Sequence, residues 1–266
     1  MSYRHIKFSI DKEVGFLTFN RPDKLNSFNR EMGREVQRVF ESFAPLGENR
    51  GKIRALLISS EGRAFCAGQD LEEAAPPNGP WPNVRDIVRE IYNPIIKAIR
   101  TLEAPVICAV NGIAAGAGAN IALACDLVLA STNAYFLQAF CHIGLIPDSG
   151  GTYFLPRLVG LPRATAMMML GERIYAQAAF EMGMIYKVCP ADTLMEDANK
   201  LAMDLAVRPT RGLGYIKRAI NQSLSNDLET QLQLEEELQG LAASTQDYHE
   251  GVQAFLEKRK PEFHGK

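Results

Sequence analysis

Apolar and polar positions along this chain follow two rhythms. Polar and apolar residues alternate through the N-terminal "MSYRHIKFSIDKEVGFLTFN", which predicts a strand pair. The second strand (14–20) should end at "RPDK", where Pro22 and Asp23 are turn formers. From residue 27 the period lengthens. Met32, Val36, Val39, Phe40 and Phe43 recur at helical spacing, with Ser27 and Asn29 as N-cap candidates. "IRALLISS" (53–60) is a continuous apolar run of the sort found in strands buried on both faces. After a proline-rich loop at 74–84, Ile87, Val88, Ile91, Ile95 and Ile99 form one helix face, with a bend expected at Pro94. "PVICAVNG" predicts a strand, "AGAGANIALACD" a turn and helix, "LVLAS" and "AYFLQAF" two more strands, and 152–159 a helix.

This alternation continues to about residue 190 and makes the chain α/β. Beyond Pro190 only helical spacing remains, with Leu234, Leu238, Leu241, Tyr248, Val252 and Phe255 on one stripe. We therefore expect a core over 1–195 and a helical region over 196–266 that docks on the core or on another subunit.

Composition narrows the function classes. With 266 residues and 47% hydrophobic content the chain can bury a large core. A net charge of -2 supplies no basic field for nucleic acid or anionic lipid. Five scattered cysteines without a Cys-x-x-Cys pair, and four histidines without His-x-x-x-His spacing, predict neither a disulfide framework nor a metal site. A cytoplasmic location follows as an expectation, since no signal-peptide apolar region is visible. Residues 104–125 carry no charge and match a membrane span in length, but Pro105, Asn111, Asn120 and a glycine cluster interrupt them. A buried strand, glycine turn and buried helix fit better.

Three turns carry candidate chemistry. In "AFCAGQDL" the chain leaves a strand and turns at Gly68, which can leave the Ala67 N–H without a partner. In "GIAAGAGANIALACD" small residues precede a helix, whose first N–H groups, including that of Ala117, lack internal acceptors. Two such groups form an oxyanion hole if they converge, which spacing alone does not show. In "GLIPDSGGT" a single carboxylate, Asp148, stands between a proline and two glycines. An aspartate there is ordinarily a turn former. Phe140 and Ile146 beside it would raise its pKa by disfavouring the charged form.

Together, "RPDKLNSFN", "AFCAGQDL", "AVNGIAAGAGANIALACD", "GLIPDSGGTYFLPRLVG" and "EGVQAFLEKRKPEF" resemble, in order and spacing, the crotonase (enoyl-CoA hydratase/isomerase) superfamily over nearly the whole chain. The resemblance implies a ββα spiral core, a C-terminal helical oligomerisation region, and a homotrimer or hexamer. It implies an acyl-CoA thioester substrate, with no cofactor beyond the CoA of the substrate and no nucleic-acid or membrane partner. It assigns the oxyanion donors to Ala67 and Ala117. Hydratases of the superfamily use two glutamates, whose places are taken here by Asn120 and Phe140, so water addition is disfavoured and Asp148 is left as the single acid. The implied activity is isomerisation of an acyl-CoA, either of an aromatic ring epoxide or of a Δ3 to a Δ2 double bond. Lys24, Leu25, Ala64, Gln69, Asp70, Leu71 and Lys258 are the implied substrate contacts, joined by Asn120 and Phe140, while Trp81 and Tyr92 are candidates for an acyl-pocket wall.

Overall fold

The computed structural model describes residues 3–44, 46–76 and 78–266. Strands β1 (Ile6–Asp11) and β2 (Val14–Phe19) pair antiparallel from Ile6 opposite Phe19 to Asp11 opposite Val14, as the alternation predicts. Helix α1 (Arg30–Ser42) starts at Asn29, whose side chain accepts the Met32 N–H at 2.9 Å. It buries Met32, Val36, Val39 and Phe40. Ser27 does not cap it.

From β3 (Ala55–Ser60) onward the chain winds as a spiral, and each turn places one strand in each of two sheets. The first turn adds β4 (Ala64–Cys66), the short helix α2 (Leu71–Ala74), and a long helical passage. That passage comprises α3 (Val84–Ile87), a π turn at Val88–Tyr92, and α4 (Asn93–Thr101). The second turn is β5 (Val106–Val110), β6 (Ile113–Ala115) and α5 (Ala117–Leu123). The third begins with β7 (Leu127–Ser131) and β8 (Tyr135–Leu137), then a 3-10 turn at Ala139–Ile143. Helices α6 (Gly151–Val159) and α7 (Leu161–Leu170), strand β9 (Arg173–Tyr175), helix α8 (Ala176–Glu181) and strand β10 (Lys187–Cys189) follow. The large sheet runs β1-β2-β3-β5-β7-β10 and the small one β4-β6-β8-β9.

Strand β5 is buried throughout, and β3 in all but its last residue, because helices cover both faces of the large sheet. One apolar cluster gathers α1, α4 and the small sheet. Another joins Leu57, Ile107 and Leu129 to Leu194, Ala198 and Ala202 of α9 (Leu194–Ala206). Each fully buried Leu or Ile here contributes roughly 1.5–3 kcal/mol of burial free energy. Helix α9 thus belongs to the core, and the boundary expected at 195/196 falls inside it. The remaining helices are α10 (Thr210–Ser223), α11 (Leu228–Ala243) and α12 (Gln246–Glu257). Of the stripe expected to dock, only Leu238 is buried within the chain; Phe255 is 82% exposed.

Two local expectations are corrected. Residues 113–115 form a third element, β6, where a turn alone was expected, because they complete the parallel ladder between β4 and β8. Phe140 lies in the 3-10 turn and not on a strand, since β8 ends at Leu137 where its pairing with β6 stops. Among the described residues no helix is long and apolar enough to cross a membrane, and 104–125 divides into β5, β6 and α5.

Candidate active site

Strands β4, β6 and β8 are adjacent and parallel, so the chain leaves all three at one edge of the small sheet. The carboxyl ends of parallel strands are where α/β sheets gather loops into sites. The loops here are the Gly68 turn after β4, the Gly116 turn after β6, and the Phe140 turn after β8. They touch. A Cβ built on Gly68 would lie 3.0 Å from the Ala115 carbonyl and 3.8 Å from the Ala117 nitrogen. One on Gly116 would meet the Phe140 ring at 3.7 Å, and the Gly116 N–H donates to Leu137 at 2.9 Å. Gly68 and Gly116 have φ of +96° and +52°, conformations that residues with a Cβ seldom adopt. Further along α5, Gly118 lets the helix rest on Cys66, whose Sγ would be 2.6 Å from an added Cβ.

One of the two expected donors is engaged within the chain. The Ala67 N–H is taken by the Leu25 carbonyl at 3.0 Å. Two residues on, Gln69 forms a parallel bridge with Phe28, in which Phe28 N–H donates to the Gly68 carbonyl at 2.7 Å and Asp70 N–H to the Phe28 carbonyl at 2.8 Å. Such a bridge uses the groups flanking Gln69 and turns the N–H of Gln69 itself to the other side. That side is the one where β6 pairs with β4. Among the described residues neither the Gln69 nor the Ala117 N–H has an acceptor. The N–H groups of Gln69 and Ala117 are thus unpaired, whereas that of Ala67 is not.

Asp148 sits in the turn before α6. Its carbonyl accepts the Gly151 N–H at 2.8 Å and Asn120 Nδ2 at 2.9 Å, and its carboxylate accepts the Ser149 hydroxyl at 2.8 Å. Burial pushes the carboxyl up to about 6, more than the Ser149 hydrogen bond lowers it. Ile146 does not cause this, being 79% exposed. Asn120 is wholly buried on α5, three residues after Ala117, and its Oδ1 accepts Gln138 Nε2 at 2.8 Å. Its amide thus has partners at both ends and is not open to a ligand. It tethers the Asp148 turn to the helix that carries Ala117. Phe140 is buried against Gly116.

The other candidates divide. Asp70 pairs with Arg21 at 2.8 Å and caps α2, so its carboxylate is engaged. Ala64 is buried, and its carbonyl accepts Asn26 Nδ2 at 2.8 Å. Both build the frame. Lys24 is exposed and pairs with Glu72 at 2.6 Å, which raises its pKa. Leu25, at φ +50°, shapes the turn that takes the Ala67 N–H, and Leu71 is exposed. Lys258 caps α12 at φ +54°, on a helix that packs against α11, outside the three-turn cluster. Trp81 is 75% exposed on its loop, whereas Tyr92 is in the core. The sequence did not single out Gln138 or the main chain of Gln69; the signal for the latter was Gly68, whose reversal aims the peptide after it. Among the described residues no group of three or more His, Cys, Asp or Glu could hold a metal ion.

Unpaired main-chain N–H groups on adjacent turns, linked through Asn120 to a carboxyl of raised pKa, are an arrangement able to bind a developing oxyanion. Comparison with known proteins agrees with that class. Residues 9–266 match the Enoyl-CoA hydratase/isomerase family. The chain is 48% identical over 258 residues to the 1,2-epoxyphenylacetyl-CoA isomerase of Escherichia coli K12, covering 97% of both chains. It is 36% identical over 268 residues to the trans-2-decenoyl-(acyl-carrier-protein) isomerase of Streptococcus mutans, with 100% of each covered. Among solved structures, the enoyl-CoA hydratase of Bacillus anthracis superposes with a TM-score of 0.89 at 33% identity, covering 99% of this chain and 100% of that one. This chain belongs to the enoyl-CoA hydratase/isomerase family and is an enzyme of it.

Proposed function

We propose that the protein isomerises an acyl-CoA thioester, with Asp148 as its single proton carrier and the N–H groups of Gln69 and Ala117 as its oxyanion hole. The preferred substrate is 1,2-epoxyphenylacetyl-CoA, converted to its seven-membered oxepin isomer. The observation that carries the reading is the pairing of one carboxyl, raised to about 6, with an amide and a phenyl ring at Asn120 and Phe140. Neither of those groups transfers a proton at neutral pH, so neither place supplies a second acid–base residue to activate water. A single carboxylate takes a proton from one carbon of the thioester-conjugated system and returns it to another, while two main-chain N–H groups hold the enolate oxygen. A general base is most effective when its pKa lies near the working pH, and burial moves Asp148 in that direction. The 48% identity to an epoxyphenylacetyl-CoA isomerase supports the choice of acyl group.

The same apparatus serves migration of a Δ3 double bond to Δ2, which needs one proton removed and one returned, and this is the second reading. Assembly of three or six chains and a cytoplasmic location are part of the proposal, with exposed Phe255 and Leu256 available to an interface between chains. Incubating the protein with 1,2-epoxyphenylacetyl-CoA, a 3-enoyl-CoA and a 2-enoyl-CoA, with products read by mass and ultraviolet spectrum, tests it. We expect isomers of unchanged mass from the first two and little hydration of the third. Rapid water addition to 2-enoyl-CoA with no isomerisation overturns the assignment.

A further inference from the structure

Tyr92 is the largest side chain buried to 1% exposure, and its hydroxyl has a specific partner. It donates to Gln69 Oε1 at 2.6 Å. Gln69 is the residue whose N–H faces the proposed oxyanion position, so the phenol bonds to the side chain of the donor itself. We propose that Tyr92 is a positioning residue: its hydroxyl, bonded to Gln69 Oε1, holds the Gln69 peptide in the orientation that aims its N–H at the thioester oxygen. The inference rests on the acyl-CoA reading above and deepens it.

Several observations converge on this role. The Gln69 peptide is gripped from one side by the main chain of Phe28, through bonds to Gly68 and Asp70. The Phe28 ring in turn packs on Tyr92, with centroids 6.0 Å apart. Main chain and side chain of Gln69 are thus fixed by two neighbouring aromatic residues, from elements distant in sequence. Tyr92 closes the π turn Val88–Tyr92, a widened helical turn that departs from the regular ladder on either side. Such single π turns recur at functional sites. This one places both Ile91 and Tyr92 in the interior, although adjacent residues of an α-helix point about 100° apart. A regular helix would keep the isoleucine stripe and lose the second inward side chain. Burial first, with Cys66 and Asp148 among the charges around it, holds the phenol well above its ordinary pKa, so it stays a donor. Gln69 Oε1 therefore accepts, and its amide nitrogen faces the Asp70 carbonyl at 3.5 Å.

The test uses Tyr92→Phe in the full chain, which keeps the ring and deletes the hydroxyl. Two quantities are read: kcat and KM for the isomerised acyl-CoA, and the infrared stretch of a carbon-13-labelled thioester carbonyl in a bound, unreactive saturated acyl-CoA. In the unaltered protein the oxyanion donors lower that frequency. In Tyr92→Phe we expect the frequency to move back toward its free value, kcat to fall by about tenfold, and KM to change little, because a small misdirection of a preorganised donor acts on the transition state. Gln69→Leu removes the same bond from its other end. Its loss and that of Tyr92→Phe should not add in the double variant. Asp148→Asn should keep the full carbonyl shift, which separates the two halves of the machinery. A normal carbonyl shift with kcat within twofold in Tyr92→Phe, or additive losses in the double variant, overturns the positioning role alone. Absence of any carbonyl shift in the unaltered protein overturns the acyl-CoA reading and this inference with it.

Discussion

The Gly68 turn and the Asp148 turn serve one proposed reaction and are built on opposite principles. At the first, the working group is a main-chain N–H, and side chains act only by holding the peptide. Leu25 and Phe28 take the neighbouring backbone groups, and Tyr92 takes the Gln69 side chain. At the second, the working group is a side chain, and one main-chain and one side-chain donor hold its backbone. The Gly151 N–H and the Asn120 amide fix the Asp148 carbonyl, while its carboxylate receives the Ser149 hydroxyl. A donor that must point at a developing charge gains from rigidity. A base that must exchange protons needs a partly dry carboxyl with few fixed donors. The difference teaches which substitutions are informative: the first turn can be damaged only indirectly, the second directly.

The largest effect should come from the direct break. Asp148→Asn removes the proton carrier and should lower kcat by about 10³-fold, within the range of acid–base contributions, while acyl-CoA binding measured by calorimetry stays nearly intact. The same variant should gain stability. The folded pKa of about 6 lies above the ordinary value of 3.8, so the folded state binds the proton more tightly than the unfolded one. The stabilising contribution of the protonated form is therefore complete below about pH 4 and is lost as pH rises through 6. The resulting penalty at neutral pH is at most about 3 kcal/mol. Thermal melts at pH 7.5 should place Asp148→Asn above the unaltered protein, with the gap closing toward pH 4. In the unaltered enzyme kcat should fall as the pH drops below 6. Equal melting temperatures at both pH values would remove the case for a desolvated carboxyl.

An indirect break at the first turn should rank next. Gly68→Ala forces a Cβ into a left-handed position 3.0 Å from the Ala115 carbonyl. The Gln69 peptide must tilt, and kcat should drop by about 100-fold, the scale of losing one oxyanion donor. Steady-state kinetics with little change in KM would bear this out. Retention of most of the rate would move the donor elsewhere.

Asn120→Ala should be the mildest of the three in rate and the more costly in stability. It leaves the Asp148 carbonyl with one donor fewer and buried Gln138 without its acceptor, for about 1–3 kcal/mol of destabilisation. We expect about a tenfold fall in kcat, with denaturant titration reporting the stability loss. A variant as inactive as Asp148→Asn would mean that Asn120 itself takes part in the chemistry.

Much of this was legible from the pattern of residues. The period-two stretch 6–19, the helical spacing of α1 and the unbroken apolar run of β3 each carry a burial pattern that only one kind of element satisfies. Gly68, Gly116 and Asp148 were visible as turn chemistry. The π turn was not, because the isoleucine stripe of Ile87, Ile91, Ile95 and Ile99 is equally compatible with a regular helix. β6 escaped as well. An isoleucine followed by two alanines shows no alternation, and the three are a strand only because β4 and β8 lie beside them. That the Ala67 N–H is engaged and the Gln69 N–H is not was hidden for the same reason. Which N–H of a turn stays free depends on what the opposing chain accepts, and Leu25 and Phe28 stand some forty residues away.

The sequence by itself determined the α/β class, the two-sided burial of the central strands, the glycine-bearing turns and the lone acid at 148, since each of these is a property of side-chain size, polarity and spacing along one stretch. Only the tertiary structure decided that the turns after β4, β6 and β8 meet at one edge, that Asn120 is a tether, that α9 belongs to the core, and that Tyr92 reaches Gln69. Hydrogen bonds and packing between elements depend on how the spiral closes, and no local pattern encodes a contact whose two partners lie on different turns of it.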